Sequence, residues 1–372
     1  MSKTILITGG AGFIGSHLVD ELLASGYEVR VFDCLSSQVH GPGGQRPEYL
    51  DAEAELVVGD VRDQEALRQA LKGVDAVFHL AAMVGVGQSM YEVSKYTSVN
   101  NEGTANLLQV LIEKPVEQLV VASSMSLYGE GLYQTPTGDL LAGTERSLPQ
   151  LKARDWELHS LDGEILTPVP TPETKAPALA SIYALSKYDQ ERMCLLVGRA
   201  YQIPTVALRF FNVYGTRQAL SNPYTGVMAI FASRLMNGNA PMIFEDGLQQ
   251  RDFVSVRDVA RACRLAMEAP GAAGHVLNIG SGNHYTIKDL ARRIAAVMGR
   301  EDIAHEITGK YRVGDVRHCF ADISLAQRLI GYEPQVSLEE GLTELVSWLE
   351  GQVAVDRVDQ ASAELSARGL TV

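Results

Sequence analysis

Cysteine is scarce in this chain, and its four cysteines lie far apart without forming a CxxC pair. This spacing excludes a zinc ribbon and a disulfide framework, so we expect no metal site and a reduced, cytoplasmic protein. Basic residues number 32 against 45 acidic ones, and the net charge of −13 argues against nucleic acid as a partner. No apolar run reaches the roughly 18 residues that span a bilayer, and the first residues lack a signal-peptide core.

Short β-branched runs alternate with helix-period segments through the first third of the chain. Five runs have the length, apolar character and Gly, Asp or Ser borders of buried strands: Thr4–Thr8, Glu28–Asp33, Glu55–Val58, Ala76–Leu80 and Gln118–Ser123. Between them, apolar residues recur at a spacing of three and four in Gly15–Ser25, Gln64–Leu71 and Val99–Glu113. This alternation predicts an α/β fold with a doubly wound parallel sheet that helices cover on both faces.

A long segment interrupts the alternation between about residues 130 and 177. It is rich in Pro, Gly and Thr around one predicted helix near Leu148–His159, and it is either a surface excursion or a substrate lid. A helix to Tyr201 and a strand, Thr205–Phe210, follow it. We predict a first domain over residues 1–211 that contains this insertion, a smaller C-terminal α/β substrate domain over 212–350, and a tail over 351–372.

The turn after the first predicted strand carries Gly9, Gly12 and Gly15 in the spacing GxxGxxG and opens a helix. Such glycines permit a tight turn and a close backbone approach, and the helix N-terminus offers free N–H groups to a phosphate. Asp33 ends the second predicted strand, where a carboxylate accepts hydrogen bonds from a ribose 2′-OH and repels a 2′-phosphate. The combination predicts a dinucleotide site that binds NAD rather than NADP.

Further residues around the predicted strand ends complete the expected cofactor site. They are Phe13, Ile14, Asp60, Val61, Leu80, Ala81 and Ala82. Asp60 and Val61 would meet the adenine edge, whereas the others would lie along the pyrophosphate crevice of an open α/β sheet. The adjacent His79 is equally consistent with a buried core histidine, and we assign it no part in proton transfer.

Tyr183 and Lys187 lie at i and i+4 of a predicted helix, which places them side by side on one face. A neighbouring ammonium and an oxidised nicotinamide would favour the phenolate, so we expect the pKa of Tyr183 to be lowered. Lys187 can also hydrogen-bond the nicotinamide ribose. Ser124 ends the fifth predicted strand and is a plausible donor to a reacting oxygen, although turn serines that cap backbone groups are the simpler interpretation of Ser123 and Ser124 alone.

Six motifs occur in a single order along the chain. They are the glycine-rich turn, HLAA, SSxSxYG, YxxxK, LRFFNVYG at Leu208–Gly215 and RDFVSVRDVA at Arg251–Ala260. In this order the chain resembles the extended short-chain dehydrogenases/reductases, specifically the NAD-dependent nucleotide-sugar epimerase/dehydratase family, from residue 3 to about 350. The resemblance implies a Rossmann domain with bound NAD, Tyr183 as general base and acid, Ser124 as its hydrogen-bonding partner, and Lys187 as the ribose-binding residue.

The resemblance also implies contacts for residues that the spacing alone does not assign. It implies that Asn100 and Ser123 contact the cofactor. The implied substrate-binding residues, in addition to Ser124, are Met125, Ser126, Asn212, Arg217, Val227, Arg251, Arg312 and Asp315. Among them, Asn212, Arg251 and the Arg312–Asp315 pair would hold the diphosphate and the nucleoside ribose.

The same resemblance narrows the reaction. Family dehydratases carry an Asp-Glu pair where this chain has Met125 and Ser126, so dehydration is disfavoured. The stretch Arg217–Val227 and the insertion are similar to those of 4-epimerases of dTDP- or UDP-hexoses, including dTDP-6-deoxyhexoses. In such enzymes the C4 carbon is oxidised transiently, the keto sugar turns about its diphosphate linkage, and hydride returns to the opposite face.

Two alternatives and an assembly prediction accompany this interpretation. One alternative is a UDP-uronate-acting epimerase or decarboxylase, in which Arg217 binds the sugar carboxylate. The other is an NAD-sensing or structural protein without turnover, since the fold hosts several functions. The resemblance further implies a homodimer through a four-helix bundle, built from apolar faces of the helices around Val99–Glu113 and Ala178–Tyr201.

Overall fold

The computed structural model describes residues 2–218, 226–311 and 315–351. The strands described there are β1 (Thr4–Thr8), β2 (Glu28–Asp33), β3 (Glu55–Val58), β4 (Ala76–His79), β5 (Gln118–Ser124), β6 (Leu132–Gln134), β7 (Leu140–Ala142), β8 (Thr167–Val169), β9 (Thr205–Phe210), β10 (Asn212–Tyr214), β11 (Met242–Ile243), β12 (Gln250–Arg251), β13 (Phe253–Ser255), β14 (Val276–Ile279), β15 (Tyr285–Thr286), β16 (Glu306–Ile307) and β17 (His318–Cys319).

The α-helices described in the same ranges are α1 (Phe13–Ala24), α2 (Ser37–His40), α3 (Gln64–Ala70), α4 (Val86–Ser89), α5 (Val93–Tyr96), α6 (Gly103–Glu113), α7 (Leu148–Lys152), α8 (Ile182–Tyr201), α9 (Val227–Met236), α10 (Val256–Glu268), α11 (Ile287–Val297), α12 (Ser324–Ile330) and α13 (Leu338–Leu349). Met125–Tyr128 and Pro270–Ala272 form short 3-10 helices. Thr97–Glu102, which overlaps the start of the helix predicted over Val99–Glu113, is π-helical. No described helix is long and apolar enough to cross a membrane.

Seven parallel strands form the central sheet, in the order β14-β9-β5-β4-β1-β2-β3. Strand β1 pairs with both β2 and β4, so that Thr8 lies opposite Phe32 on one side and His79 on the other. The strand order therefore reverses at β1, which confirms the predicted doubly wound sheet. Ligands of such sheets bind outside the carboxyl ends of the strands at this reversal.

Both faces of β1 are buried under helices. Ile5 and Ile7 pack with Leu18 of α1 and Val259 of α10, whereas Leu6 packs on the opposite face with Leu107 of α6. Alternate side chains of a strand point to opposite faces of the sheet, so a strand covered on both sides is apolar throughout. This double burial explains why the strand is so clear in the sequence.

The chain beyond residue 212 forms a second core and also completes the first. Phe231, Phe253, Ile294 and Leu342 belong to a separate apolar cluster built from α9, α11, α13 and β13. Strand β14 and helix α10, by contrast, pack into the central sheet and its cover. The domain boundary at residue 211 stays a prediction, because β14 and α10 follow it in the sequence but belong to the main sheet and its cover.

The insertion has a fold of its own. Its strands β6, β7 and β8 form an antiparallel sheet in the order β7-β6-β8, with Tyr133 packed against Leu158 and Leu166. The helix predicted near Leu148–His159 ends at Lys152 instead. Beyond it, His159 forms an isolated bridge with Ile165, which needs extended rather than helical backbone.

Candidate active site

The glycine-rich turn follows β1 at the reversal of the strand order. Gly9 has a φ of +72°, and a Cβ there would lie 2.8 Å from the backbone nitrogen of Ala81. A Cβ on Gly15 would lie 2.6 Å from Cα of Gly10, so this position also accepts only glycine. Gly12 precedes α1 without any side-chain capping bond, which leaves backbone N–H groups of the first turn free for an anion. The turn therefore fits a dinucleotide pyrophosphate.

Asp33 ties this turn to the end of β2. Its Oδ2 accepts a 3.0 Å hydrogen bond from the backbone N–H of Ala11, and its Oδ1 accepts one of 2.9 Å from Leu35. An ionised carboxylate has about four acceptor sites, so capacity remains for ribose hydroxyls. The buried negative charge is unsuited to a 2′-phosphate, which supports the prediction of NAD over NADP.

The other residues predicted to contact the cofactor lie at or just beyond the carboxyl ends of β1, β3 and β4. Phe13 and Ile14 open α1, and Leu80, Ala81 and Ala82 follow β4 directly beside Gly9. Val61 packs closely against Gly103 of α6, since a Cβ on Gly103 would lie only 2.5 Å from Cγ2 of Val61. Asp60 accepts a 2.9 Å hydrogen bond from Nε of Arg62, and this bond lowers the pKa of the carboxyl.

His79 is a satisfied core histidine. Its Nδ1 lies 2.8 Å from the hydroxyl of Thr8, and its Nε2 lies 2.9 Å from that of Thr104. Burial lowers the pKa of the imidazole to about 3, so the ring is neutral at physiological pH. The structure gives it a packing role between β4 and α6.

Asn100 holds the segment after β4 in place. Its Oδ1 accepts a 2.7 Å hydrogen bond from the N–H of Met83, and its Nδ2 donates to Ser186 Oγ at 2.9 Å and to Met83 O at 3.1 Å. The side chain is fully buried. Both amide protons are therefore used inside the protein, and the cofactor contact implied by the family resemblance stays a prediction.

Ser124, Tyr183 and Lys187 meet at the carboxyl end of β5. Ser181 caps α8 by accepting a 3.1 Å hydrogen bond from the N–H of Ala184, which fixes the start of the helix that carries Tyr183 and Lys187. The Ser124 hydroxyl accepts hydrogen bonds from the N–H and the hydroxyl of Ser126, at 3.2 and 2.8 Å, and it also bonds with Tyr183. The structure thus brings the three predicted catalytic residues together.

The pKa of Tyr183 differs from the expectation. Burial raises the pKa of the phenol, and the hydrogen bond with Ser124 opposes this rise. The predicted lowering by Lys187 is wrong for the protein chain alone, because its Nζ donates at 2.7 Å to Oε1 of Gln190 and burial of the phenolate outweighs other effects. Burial also lowers the pKa of Lys187 to about 8.

Ser123 joins a buried network that the sequence analysis missed. Its hydroxyl donates a 2.7 Å hydrogen bond to Glu191, which receives two bonds of 2.9 and 2.7 Å from Arg209. Arg209 also donates to the hydroxyl of Tyr128 at 2.8 Å. Two features of the sequence could have indicated this network. Glu191 follows Lys187 by one helical turn, and Arg209 is a charged residue within the apolar strand β9.

Two of the predicted substrate-binding residues lie side by side. Arg251 donates hydrogen bonds to the carbonyls of Val316 and Arg317, and its Nη2 atom lies 3.8 Å from Oδ1 of Asp315. Asn212 donates from Nδ2 to the carbonyl of Asp252 at 2.8 Å. Thus Arg251 supports the segment that carries Asp315. Val227 begins α9 and packs against the second core, whereas Arg312 lies outside the described residues.

Arg217 lies beside the glycine-rich turn. Its Nη2 atom forms a 2.8 Å ion pair with Asp20 of α1, and its Cζ atom lies 5.6 Å from the centre of the Tyr49 ring. The hydroxyl of Tyr49 donates a 2.9 Å hydrogen bond to the carbonyl of Ala11. Arg217 therefore has a carboxylate partner within the described residues, but its Nη1 is buried there without a hydrogen-bond partner, and its assignment to a sugar carboxylate stays a prediction.

A buried ionic cluster joins the insertion to the C-terminal part of the chain. We call it the insertion cluster, and it consists of Glu130, Arg146, Glu157, Glu245, Asp246 and Arg317. The side chain of Arg317 is fully buried and contacts Glu245 at 3.0 Å and Asp246 at 2.7 Å. Arg146 contacts Glu245 at 2.9 Å. Buried charges need such partners, so the insertion is anchored rather than loose.

These features define an NAD-binding α/β enzyme whose Ser–Tyr–Lys set lies at the cofactor end of the sheet. Residues 5–147 and 164–280 match the model of the NAD dependent epimerase/dehydratase family. The chain belongs to this family, and its cofactor is NAD. Residues 148–163, which the family model does not match, lie inside the insertion.

Similar proteins include epimerases of several nucleotide-sugars. The chain is 37% identical over 351 residues to the dTDP-L-rhamnose 4-epimerase of Burkholderia thailandensis. The alignment covers 93% of this chain and 95% of that enzyme. It is similar to the structure of UDP-glucose 4-epimerase from Thermotoga maritima with UDP-glucose (TM-score 0.75, 33% identity, 93% of this chain and 98% of that one). It is also similar to the structure of UDP-glucuronic acid 4-epimerase from Bacillus cereus with UDP-glucuronic acid and NAD (TM-score 0.74, 27% identity). The alignment covers 93% of this chain and 99% of that enzyme.

Proposed function

We propose that this protein is a nucleotide-sugar 4-epimerase that acts on a dTDP- or UDP-linked hexose, including 6-deoxyhexoses. The observation that carries the proposal is the meeting of Ser124, Tyr183 and Lys187 at the carboxyl end of β5, with Met125 and Ser126 next to Ser124. These two positions bear no carboxylate to remove a C5 proton, so the site favours oxidation and reduction without dehydration. The relatives named above support the same reaction.

The chain's own residues have separate tasks in this reaction. Tyr183 takes the proton of the C4 hydroxyl and later returns it, while Ser124 hydrogen-bonds the same oxygen. Bound NAD would supply hydride exchange at C4, and its positive charge would favour the ionised phenol of Tyr183. Arg251 and Asp315 hold the diphosphate and the nucleoside, so that the sugar can turn without leaving.

Product analysis tests the proposal directly. The purified enzyme with NAD is incubated in deuterated water with dTDP-hexoses, dTDP-6-deoxyhexoses, UDP-hexoses and UDP-uronates, and the products are followed by NMR. We expect inversion at C4 without deuterium at C5. Incorporation at C5 would indicate a dehydratase or another epimerase, and bound NAD without any sugar conversion would favour an NAD sensor.

We also propose that the enzyme is a homodimer. Leu185 and Leu196 are exposed on one face of α8, and Val93 of α5 is exposed nearby in the fold. In the segment 99–113, Val99 and Ile112 are partly exposed, and the other large apolar side chains are buried. The proposed four-helix bundle uses this segment and α8, with Val93 of α5 at its edge. Light scattering should give twice the chain mass, and Leu185→Glu with Leu196→Glu should give monomers; a wild-type monomer at micromolar concentration contradicts the proposal.

A cytoplasmic setting belongs to the same proposal. The cysteines are free, and three of the four are buried. Free thiols are expected where the compartment is reducing.

A further inference from the structure

A cavity of about 240 Å³ lies between the insertion and the segments that flank the catalytic residues. Gly143 and Glu145 of the insertion form one side of it, and Gly129–Glu130, Ala178–Ala180 and Asp315–Val316 form the rest. Gly129 follows Ser124 by five residues, and Ala180 precedes Tyr183 by three. The cavity thus lies next to Asp315, a predicted substrate-binding residue, and its walls include segments that are close to Ser124 and Tyr183 in the sequence.

The wall that the insertion contributes is rigid. Arg146, whose side chain is only 2% exposed, donates a 3.0 Å hydrogen bond to the carbonyl of Asp315. A Cβ on Gly143 would lie 2.6 Å from Cβ of Glu130, so the two segments touch at backbone distance. The cavity is therefore preformed, and the insertion is a fixed wall rather than a closing lid.

The charged residues of this lining, all within the described part of the chain, are carboxylates. Glu130 accepts hydrogen bonds from Tyr133 at 2.8 Å and from the N–H of Arg317 at 2.6 Å, and it lies 3.8 Å from Nε of Arg146. Asp315 lies 3.8 Å from Arg251, so both carboxylates have a cationic neighbour. Glu145 is exposed and has no ion-pair partner among the described residues. A substrate carboxylate bound in this cavity would therefore meet the like charge of Glu145, which disfavours its binding.

We propose that the insertion builds a subsite for the substituent on C5 of the sugar, and that it selects neutral hexoses and 6-deoxyhexoses over uronates. This proposal rests on the function proposed above. The volume is below the roughly 300–1,000 Å³ of a pocket for a whole small molecule, so the cavity takes one end of the substrate. The C5 substituent adjoins the reacting C4, and hexoses differ from the corresponding uronates only there.

Charge reversal at Glu145 tests the subsite. Dissociation constants of UDP-glucose and UDP-glucuronate are measured calorimetrically on the NAD-loaded enzyme in a Tyr183→Phe background, where turnover does not interfere. We expect the background enzyme to bind UDP-glucose more tightly. Glu145→Lys should shift the ratio of the two constants toward UDP-glucuronate by about tenfold, since it replaces repulsion of the uronate carboxylate by attraction at an exposed position. Glu145→Gln should give a smaller shift in the same direction.

Glu164→Lys is the matched control, because Glu164 is exposed on the same insertion and does not line the cavity. It should leave the ratio unchanged. Equal ratios in the Glu145→Lys and Glu164→Lys enzymes, or tighter binding of UDP-glucuronate by the background enzyme, would overturn the subsite. Failure of the wild type to invert C4 contradicts only the proposed function, since the binding ratio does not depend on turnover.

Discussion

Nζ of Lys187 donates a 2.7 Å hydrogen bond to Oε1 of Gln190, one helical turn further along α8. Gln190 in turn donates to the hydroxyl of Thr104 at 2.8 Å, and all three side chains are buried. The ammonium is therefore held by a neutral amide rather than by a carboxylate. In the protein chain alone this ammonium does not lower the pKa of Tyr183, so the ionised phenol of the proposed reaction depends on the positive charge of bound NAD.

Burial of this ammonium makes the stability of the protein depend on pH. The pKa of Lys187 in the folded chain, about 8, is below its ordinary value of 10.5, so the unfolded chain binds more protons between these limits. The contribution of Lys187 to the free energy of unfolding therefore rises with pH over this window. Lys187→Met lacks this rise, so its stability relative to wild type should fall from pH 8 to pH 10 in urea unfolding. The exposed variant Lys95→Met is the control, and a pH-independent difference for Lys187→Met would contradict the burial of the charge.

Replacement of Tyr183 by Phe removes the proposed base and leaves the packing of the ring intact. We expect kcat to fall by roughly 10²- to 10⁴-fold, the usual contribution of a general acid–base group, while NAD stays bound. Tyr201→Phe, on the exposed end of α8, should keep the wild-type rate. Near-normal turnover by Tyr183→Phe, measured with NAD occupancy on the same sample, would overturn the mechanism.

The buried pair of Arg209 and Glu191 is expected to behave as one unit. Arg209→Met removes the two hydrogen bonds that Arg209 donates to the Glu191 carboxylate and should lower the free energy of unfolding by about 3–5 kcal/mol. The double variant with Glu191→Met should recover much of this loss. The surface pair of Arg68 and Glu113 is the control, because exposed ion pairs contribute about 0–1 kcal/mol. Additive losses in the buried pair would show that it is not coupled.

The ion pair between Arg217 and Asp20 is expected to slow the release of NAD. It links the segment after β10 to the helix that begins at the glycine-rich turn, and an exposed pair contributes up to about 1 kcal/mol. Asp20→Asn should therefore raise the NAD dissociation rate by at most about fivefold, measured by stopped-flow fluorescence. Glu344→Gln breaks the surface pair with Arg257 elsewhere and should have no effect. An unchanged NAD dissociation rate in Asp20→Asn would show that this ion pair does not contribute to the retention of the cofactor.

The central sheet and the reacting residues were accessible from the sequence because their signals are local. A strand buried on both faces, such as Thr4–Thr8, is apolar throughout, and Tyr183 and Lys187 are neighbours by helical spacing alone. The insertion cluster was not accessible, since Arg317 meets Glu157 across 160 positions of the chain and no local pattern links them. The raised pKa of Tyr183 depends on burial from several elements, which spacing does not reveal.

The return of β14 to the central sheet bears on how the protein is made. Until Ile279 has been synthesised, the wholly buried strand β9 has one unpaired edge, which is a template for pairing with other chains. An emerging N-terminal half would therefore be prone to aggregate, and a fragment ending at residue 211 should behave in the same way. The central sheet is thus completed by a strand of only four residues, which lies beyond the predicted first domain.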